Sequence, residues 1–190
     1  MTALLKKKKY TPEEYLALEE KADFRSEYDD GEIIAMAGSS LNHARIIGNI
    51  DRIFGEKLNE NCESIMTEIK IRVESYRKFY YPDVFVFCDE PYFYQNRNDT
   101  IINPVLIVEV LSDSTEAKDR GEKMLAYRTL ESLREYVLIS QNNATVEQYF
   151  KNSDGNWIHK ATIGLKSNVR FESIGVELKL EEIYQRVKFE

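Results

Sequence analysis

Pro104-Val-Leu-Ile-Val-Glu-Val-Leu111 is a short apolar run interrupted by one carboxylate, Glu109. Its length is that of a strand, and a run apolar on both faces suits a central strand covered on both sides. A buried carboxylate without a partner is costly, so Glu109 needs a cation, a hydrogen-bond network or the exposed end of its strand. The plain alternative is a structural ion pair. A second stretch, Tyr81-Pro82-Asp83-Val84-Phe85-Val86-Phe87, has a similar form: Pro82 and Asp83 open a strand that then turns fully apolar. Taken alone, Asp83 reads as a turn or strand-end residue. If the two strands are neighbours, the two acids converge on one point and can hold a hard cation such as Mg²⁺ through oxygen ligands.

Outward from these strands the chain reads as alternating helices and strands. Thr11-Pro12-Glu13-Glu14 predicts a capped helix running to about residue 21. Residues 25–37 predict a β-hairpin around Asp29-Asp30-Gly31. Ser39 or Ser40 can cap a long helix ending near residue 61, with Ile46, Ile47, Ile50, Ile53, Phe54 and Leu58 at helical spacing. Strands are expected over 65–73 and 79–87, forming the core of a sheet with 105–111, and 89–103 reads as a surface loop. Ser114 or Thr115 can cap a second helix running to about residue 130. Further strands are expected over 135–140, 145–150, 157–163 and 169–172, and a closing helix over 180–187. Residues 1–10, with lysines at positions 6 to 9, read as a basic, mobile tail, and 11–190 as one domain.

A chain of 190 residues with 43% apolar content can bury a core unaided. Its net charge of −7 argues against coating nucleic acid by bulk attraction, so any DNA contact must be local. Cys62 and Cys88 lack companions at zinc-ligand spacing and read as free, mostly buried thiols. No stretch has membrane-helix length and no signal-peptide core is present, which leads us to expect a soluble cytoplasmic protein. Phosphate contacts are expected from Lys70, Arg72, Arg77 and Lys78 on the middle strands, or from Lys118 and Arg120 at the start of the second helix. No aromatic-basic recognition motif stands out, and the 12 tyrosines read as core and rim.

Pro82-Asp83 at a strand start, followed by Glu109-Val110-Leu111 in the next strand, resembles the PD-(D/E)XK nuclease signature. That family places a lysine two residues after the second acid, where this chain has Leu111. The run Glu109-Val-Leu-Ser112-Asp-Ser114-Thr115, then Asp119, Lys123 and Tyr127, resembles the Uma-type restriction endonucleases within that superfamily. So do the early Tyr10-Thr-Pro-Glu-Glu-Tyr15, the Gly31 hairpin, His43 after a small-residue loop, and Glu135-Tyr136-Val137-Leu138. The resemblance implies a restriction-endonuclease-like α/β fold, a mixed central sheet flanked by helices with extra β-hairpins. It also implies a Mg²⁺- or Mn²⁺-dependent endonuclease acting on DNA, with the metal on Asp83 and Glu109, and a homodimer where both strands are cut.

Lys123 is the candidate for the displaced lysine. Asp119, Lys123 and Tyr127 fall on one helix face just after the Glu109 strand. The alternative is an ordinary Asp119–Lys123 surface pair. Glu27 is carried as a further carboxylate, against a solvated hairpin acid, and His43 as a group orienting water or phosphate; His159 has no catalytic company. Two rivals from other classes stand beside the nuclease: a catalytically silent module binding nucleic acid or protein through the same surface, and a plain protein-interaction domain.

Overall fold

The computed structural model describes residues 8–36 and 38–189. Thr11 caps α1 (Pro12–Glu19) reciprocally: its hydroxyl accepts from the Glu14 amide and the Glu14 carboxylate accepts from the Thr11 amide. Of the expected tail, residues 1–7 lie outside the described residues. Tyr10 is tied to the hairpin turn, its amide donating to the Gly31 carbonyl at 2.9 Å. The hairpin joins β1 (Ser26–Asp29) to β2 (Glu32–Ala35) through Asp30 and Gly31, both at positive φ, as a two-residue turn matched to strand twist requires. Ser40 caps α2 (Leu41–Lys57), whose Ile46, Ile47, Ile50, Ile53 and Phe54 are buried.

The chain next passes repeatedly between two sheets, through β3 (Cys62–Met66), β4 (Lys70–Val73), β5 (Lys78–Tyr80), β6 (Val84–Cys88), β7 (Thr100–Ile101) and β8 (Leu106–Leu111). The strands expected over 65–73 and 79–87 are therefore each divided. Thr67, at φ 47°, breaks the first. Pro82, which has no amide hydrogen to give a ladder, sits in the break of the second. The loop over 89–103 is not wholly irregular: it holds a 3₁₀ turn (Tyr94–Asn96) and β7, which runs parallel to β4.

The second helical run comprises α3 (Glu116–Lys118), a π turn (Asp119–Lys123) and α4 (Met124–Tyr127), and ends before residue 130. Neither Ser114 nor Thr115 caps it through its side chain; both hydroxyls engage Ser112 instead. Then follow β9 (Glu135–Ser140), β10 (Thr145–Lys151), β11 (Trp157–Ile163), β12 (Asn168–Phe171), β13 (Val176–Lys179) and α5 (Leu180–Ile183). The closing helix is one turn long, shorter than expected. The strand before it, β13, has no counterpart in the sequence reading.

The central sheet has the order β11-β10-β9-β8-β6-β3, with β8 and β9 parallel and the other neighbours antiparallel. The second sheet has the order β2-β1-β5-β4-β7. Alternation along β8 assigns the two faces of the central sheet. Leu106, Val108 and Val110 pack with α2, α5 and the β12–β13 hairpin, while Ile107 and Leu111 pack with α4, β4 and β5. A smaller cluster joins Tyr15 and Leu16 of α1 to Tyr28 and Phe79. The architecture is thus the mixed α/β one expected. Among the described residues no helix is long and apolar enough to cross a membrane.

The cysteines are not free thiols. Antiparallel pairing of β3 with β6 sets Cys62 directly opposite Cys88, and the two form a disulfide. Sequence spacing hides this because the partners are brought together only by strand register, across 26 residues.

Candidate active site

Asp83 immediately precedes β6. The pairing Val84↔Val108, continued by one residue, sets it beside Glu109 on β8. Its backbone carbonyl accepts from the Thr67 amide at 3.2 Å, and its Oδ2 accepts from the Val110 amide at 2.7 Å. The acid is thereby fixed at the point where the chain crosses between sheets. Glu109 shares the Ile107 and Leu111 face of β8, toward the second helical run, and is almost fully buried.

The Lys123 ammonium stands among carboxylates from three elements: 3.0 Å from Glu109 Oε1, 3.1 Å from Glu27 Oε1 and 3.2 Å from Asp119 Oδ1. Tyr127 donates its hydroxyl to Glu109 Oε1 at 3.2 Å, and Lys118 reaches Glu27 Oε2 at 2.8 Å. The π turn carries both Asp119 and Lys123, and the Asp119 carbonyl accepts from the buried Tyr136 hydroxyl at 2.9 Å. From the first turn of α2, His43 places Nε2 3.2 Å from Asp83 Oδ2, while its buried Nδ1 has no hydrogen-bond partner. Asp119 Oδ1, also buried, forms no hydrogen bond despite its proximity to Lys123.

Burial pushes the Glu109 carboxyl well above the usual range; Lys123 opposes this, and Asp119, Asp83 and Glu27 reinforce it. Burial likewise raises Asp119 over the opposition of Lys123. Burial also acts to raise Glu27, but the ammoniums of Lys123 and Lys118 outweigh it and hold that carboxyl low. Burial disfavours the charged form of Lys123, yet Glu109, Glu27 and Asp119 together raise its pKa well above the ordinary value, so it stays protonated. Burial disfavours imidazolium at His43, and its hydrogen bond to Asp83 more than compensates.

These side chains line one cavity of about 230 Å³. Asp83, Glu109, Lys123, Glu27, His43 and Asp119 all reach its wall, and Tyr127 lies behind Glu109. Of the cations expected to meet phosphate, only Lys118 lines it. Lys70 is buried with its ammonium 2.7 Å from Asp99, Arg72 is bound to Glu74, Arg77 to Asp30, Lys78 to Asp29 and Glu122, and Arg120 to Glu116 and Glu147. His159 is stacked on Tyr149. The sequence reading assigned no site role to the Ser112, Ser114 and Thr115 side chains or to Tyr81, which also line the cavity; the clustered small hydroxyl residues after β8 were the available signal.

Residues 12–181 match the family described as "Uma2: Putative restriction endonuclease". The chain is 37% identical over 186 residues to the Synechocystis sp. protein slr1290, covering 95% of this chain and 94% of that one. It is 36% identical over 162 residues to sll1609 of the same organism, covering 85% of this chain and 92% of that protein. In three dimensions it resembles the crystal structure of a "putative nuclease belonging to DUF820" from Anabaena variabilis, with a TM-score of 0.77 and 19% identity, covering 94% of this chain and 99% of that one.

Proposed function

Since the chain belongs to the Uma2 family, we propose that it is a divalent-metal-dependent endonuclease that hydrolyses DNA phosphodiester bonds in the cavity walled by Asp83, Glu109 and Lys123. The observation that carries this reading is the convergence, around one buried ammonium, of carboxylates from separate elements.

The donor chemistry fits a hard cation, because Asp83 and Glu109 offer oxygen and the buried acids exceed the cations beside them. Among the described residues no group of three or more His, Cys, Asp or Glu side chains is arranged to hold a metal ion. Asp83 and Glu109 are the residues that would hold Mg²⁺ or Mn²⁺. A cation bound there supplies charge neutralisation at the scissile phosphate and a more acidic water.

The chain's own groups do the rest. Lys123 fixes Glu109 and presents a preorganised positive charge where negative charge develops on the phosphate. Glu27 and Asp119 keep that ammonium protonated and aimed. Lys118, part-exposed at the cavity wall, meets the incoming phosphate. His43 and the Val110 amide hold Asp83 in place from opposite elements.

The test is cleavage of supercoiled plasmid and of single-stranded DNA with Mg²⁺, Mn²⁺ or chelator. Metal-dependent cutting is expected, with Asp83→Asn, Glu109→Gln and Lys123→Met each losing on the order of 10²-fold or more in rate. A wild type that cuts neither substrate with any divalent metal overturns the proposal. A catalytically silent binding module is the second reading, favoured by the absence of a three-ligand metal cage among the described residues; it is supported if DNA is bound but never cut.

A further inference from the structure

Most cations on the inner strands and the second helical run are matched to a carboxylate, as Lys70, Arg72, Lys78, Lys118 and Arg120 are. Three cations near one edge of the central sheet are not. Arg128, just beyond α4, lies 5.0 Å from the Trp157 ring centroid, and Lys151, at the end of β10, lies 5.1 Å from it. Lys151 and Trp157 are cross-strand partners in the β10–β11 register. Arg134 adjoins them, its carbonyl accepting from the Lys151 amide at 2.9 Å, and it is exposed. Among the described residues these three cations form no ion pair with a carboxylate. The Lys151 ammonium is pushed down by its partial burial and then by Arg134 and Arg128, with no acid in opposition.

Like charges crowd together on an acidic protein only where something holds them. Here the face of an indole does so: a ring quadrupole attracts cations without neutralising them, so their charge stays available to an incoming anion. Arg134 accepts the main-chain geometry of the sheet, its amide donating to the Val105 carbonyl at 2.8 Å. That places its backbone about 13 Å along β8 from Glu109, at roughly 3.3 Å per residue. This is a span of about four base pairs of duplex at 3.4 Å each. The cluster is thus separate from the cavity.

We propose that Arg128 and Lys151, organised on Trp157, together with Arg134 beside them, form a second binding site for the phosphate backbone of DNA, remote from the cavity. It rests on the endonuclease reading for its choice of polyanion but not for its test, which is made in chelator, where no metal-dependent cleavage occurs. Trp157 is the sole tryptophan, so its emission reports on this patch alone.

The experiment titrates the full-length chain with a duplex oligonucleotide and separately with its single strand, following DNA anisotropy and tryptophan emission at several salt concentrations. The Arg128→Gln/Arg134→Gln/Lys151→Gln variant is expected to bind at least about 10-fold more weakly, with its log K against log salt slope shallower by about 2 to 3 units for duplex, at about 0.9 per phosphate contact. Arg128→Lys/Arg134→Lys, which keeps the charges, is expected to retain most of the affinity. A larger loss for duplex than for single strand identifies the form bound. Circular dichroism and melting establish that the glutamine variant is folded; if it is not, the single Arg134→Gln variant, whose side chain is exposed, must still lose affinity and about one unit of slope. Unchanged affinity and slope in the folded variants, or tryptophan emission unmoved at saturating DNA, overturns the proposal. Loss of binding in the variants together with a wild type that never cuts removes the endonuclease and leaves this site standing.

Discussion

Replacing Lys123 by Met keeps the apolar stem and removes the ammonium, leaving Glu109, Glu27 and Asp119 facing one another with three contacts of 3.0 to 3.2 Å lost. Removing one partner from a buried charge pair costs about 3–5 kcal/mol, because the charges left behind have no compensation. For a domain of this size each kcal/mol moves the melting midpoint by about 2–4 °C, so a fall of about 6–20 °C is expected near neutral pH. The pH dependence carries a definite sign. In the wild type Glu27 is held low by Lys123 and Lys118, so it contributes stability above its unfolded value that disappears as pH falls; the variant forfeits much of that contribution. Glu109 and Asp119 are already raised by burial and rise further without the ammonium. A raised carboxyl favours the fold below its unfolded value, about 4, and that benefit is lost as pH climbs through the folded value. Both effects make the deficit largest near neutral pH and smallest toward about pH 4–5. Thermal melts of the two proteins across this range provide the measurement. A variant melting within about 2 °C of wild type at neutral pH, or one with the same deficit at both ends of the range, would refute the reasoning that the ammonium is what holds the acids together.

Asp83→Asn leaves an acceptor for the Val110 amide, so stability should change by less than about 1.5 kcal/mol while the calorimetric signal of Mn²⁺ binding is lost; a retained signal removes Asp83 from the metal mount. Alkylation of the denatured, unreduced protein should leave Cys62 and Cys88 unlabelled, and the Cys62→Ser/Cys88→Ser variant should lose about 2–4 kcal/mol of stability. Two labelled thiols would contradict the bond. Thr11→Ala should cost about 1 kcal/mol through loss of the reciprocal cap at α1, read as a lower midpoint in denaturant; an unchanged midpoint would mean that α1 contributes nothing to the cooperative fold.

Local chemistry was readable where it acts locally. The Thr11–Glu14 cap, the Asp30-Gly31 turn and the apolar stripe of α2 each fall where residue types and spacing put them. The runs around Thr67 and Pro82 misled because apolar residues stand on both sides of each break, while the two flanks pair in different sheets. The cysteine pair and the Arg128–Arg134–Lys151–Trp157 cluster were unreadable for a related reason, since register and helix placement bring their members together. In the cavity, Asp83 and Glu109 stood out as acids in apolar strands. The π turn that carries Asp119 and Lys123 left no mark beyond a helix interrupted by Gly121.

Glu109 and Leu111 project from the same face of β8, toward the helical run that delivers Lys123. Position 111 on the strand and position 123 on the helical run are therefore two backbone addresses on the same side of the sheet. Under the proposed endonuclease reading, what the site requires is a point of positive charge beside the acids, and the backbone address that delivers it can differ. On that reading, the set of side chains that can reach the acids describes the site more fully than a fixed acid–x–lysine string.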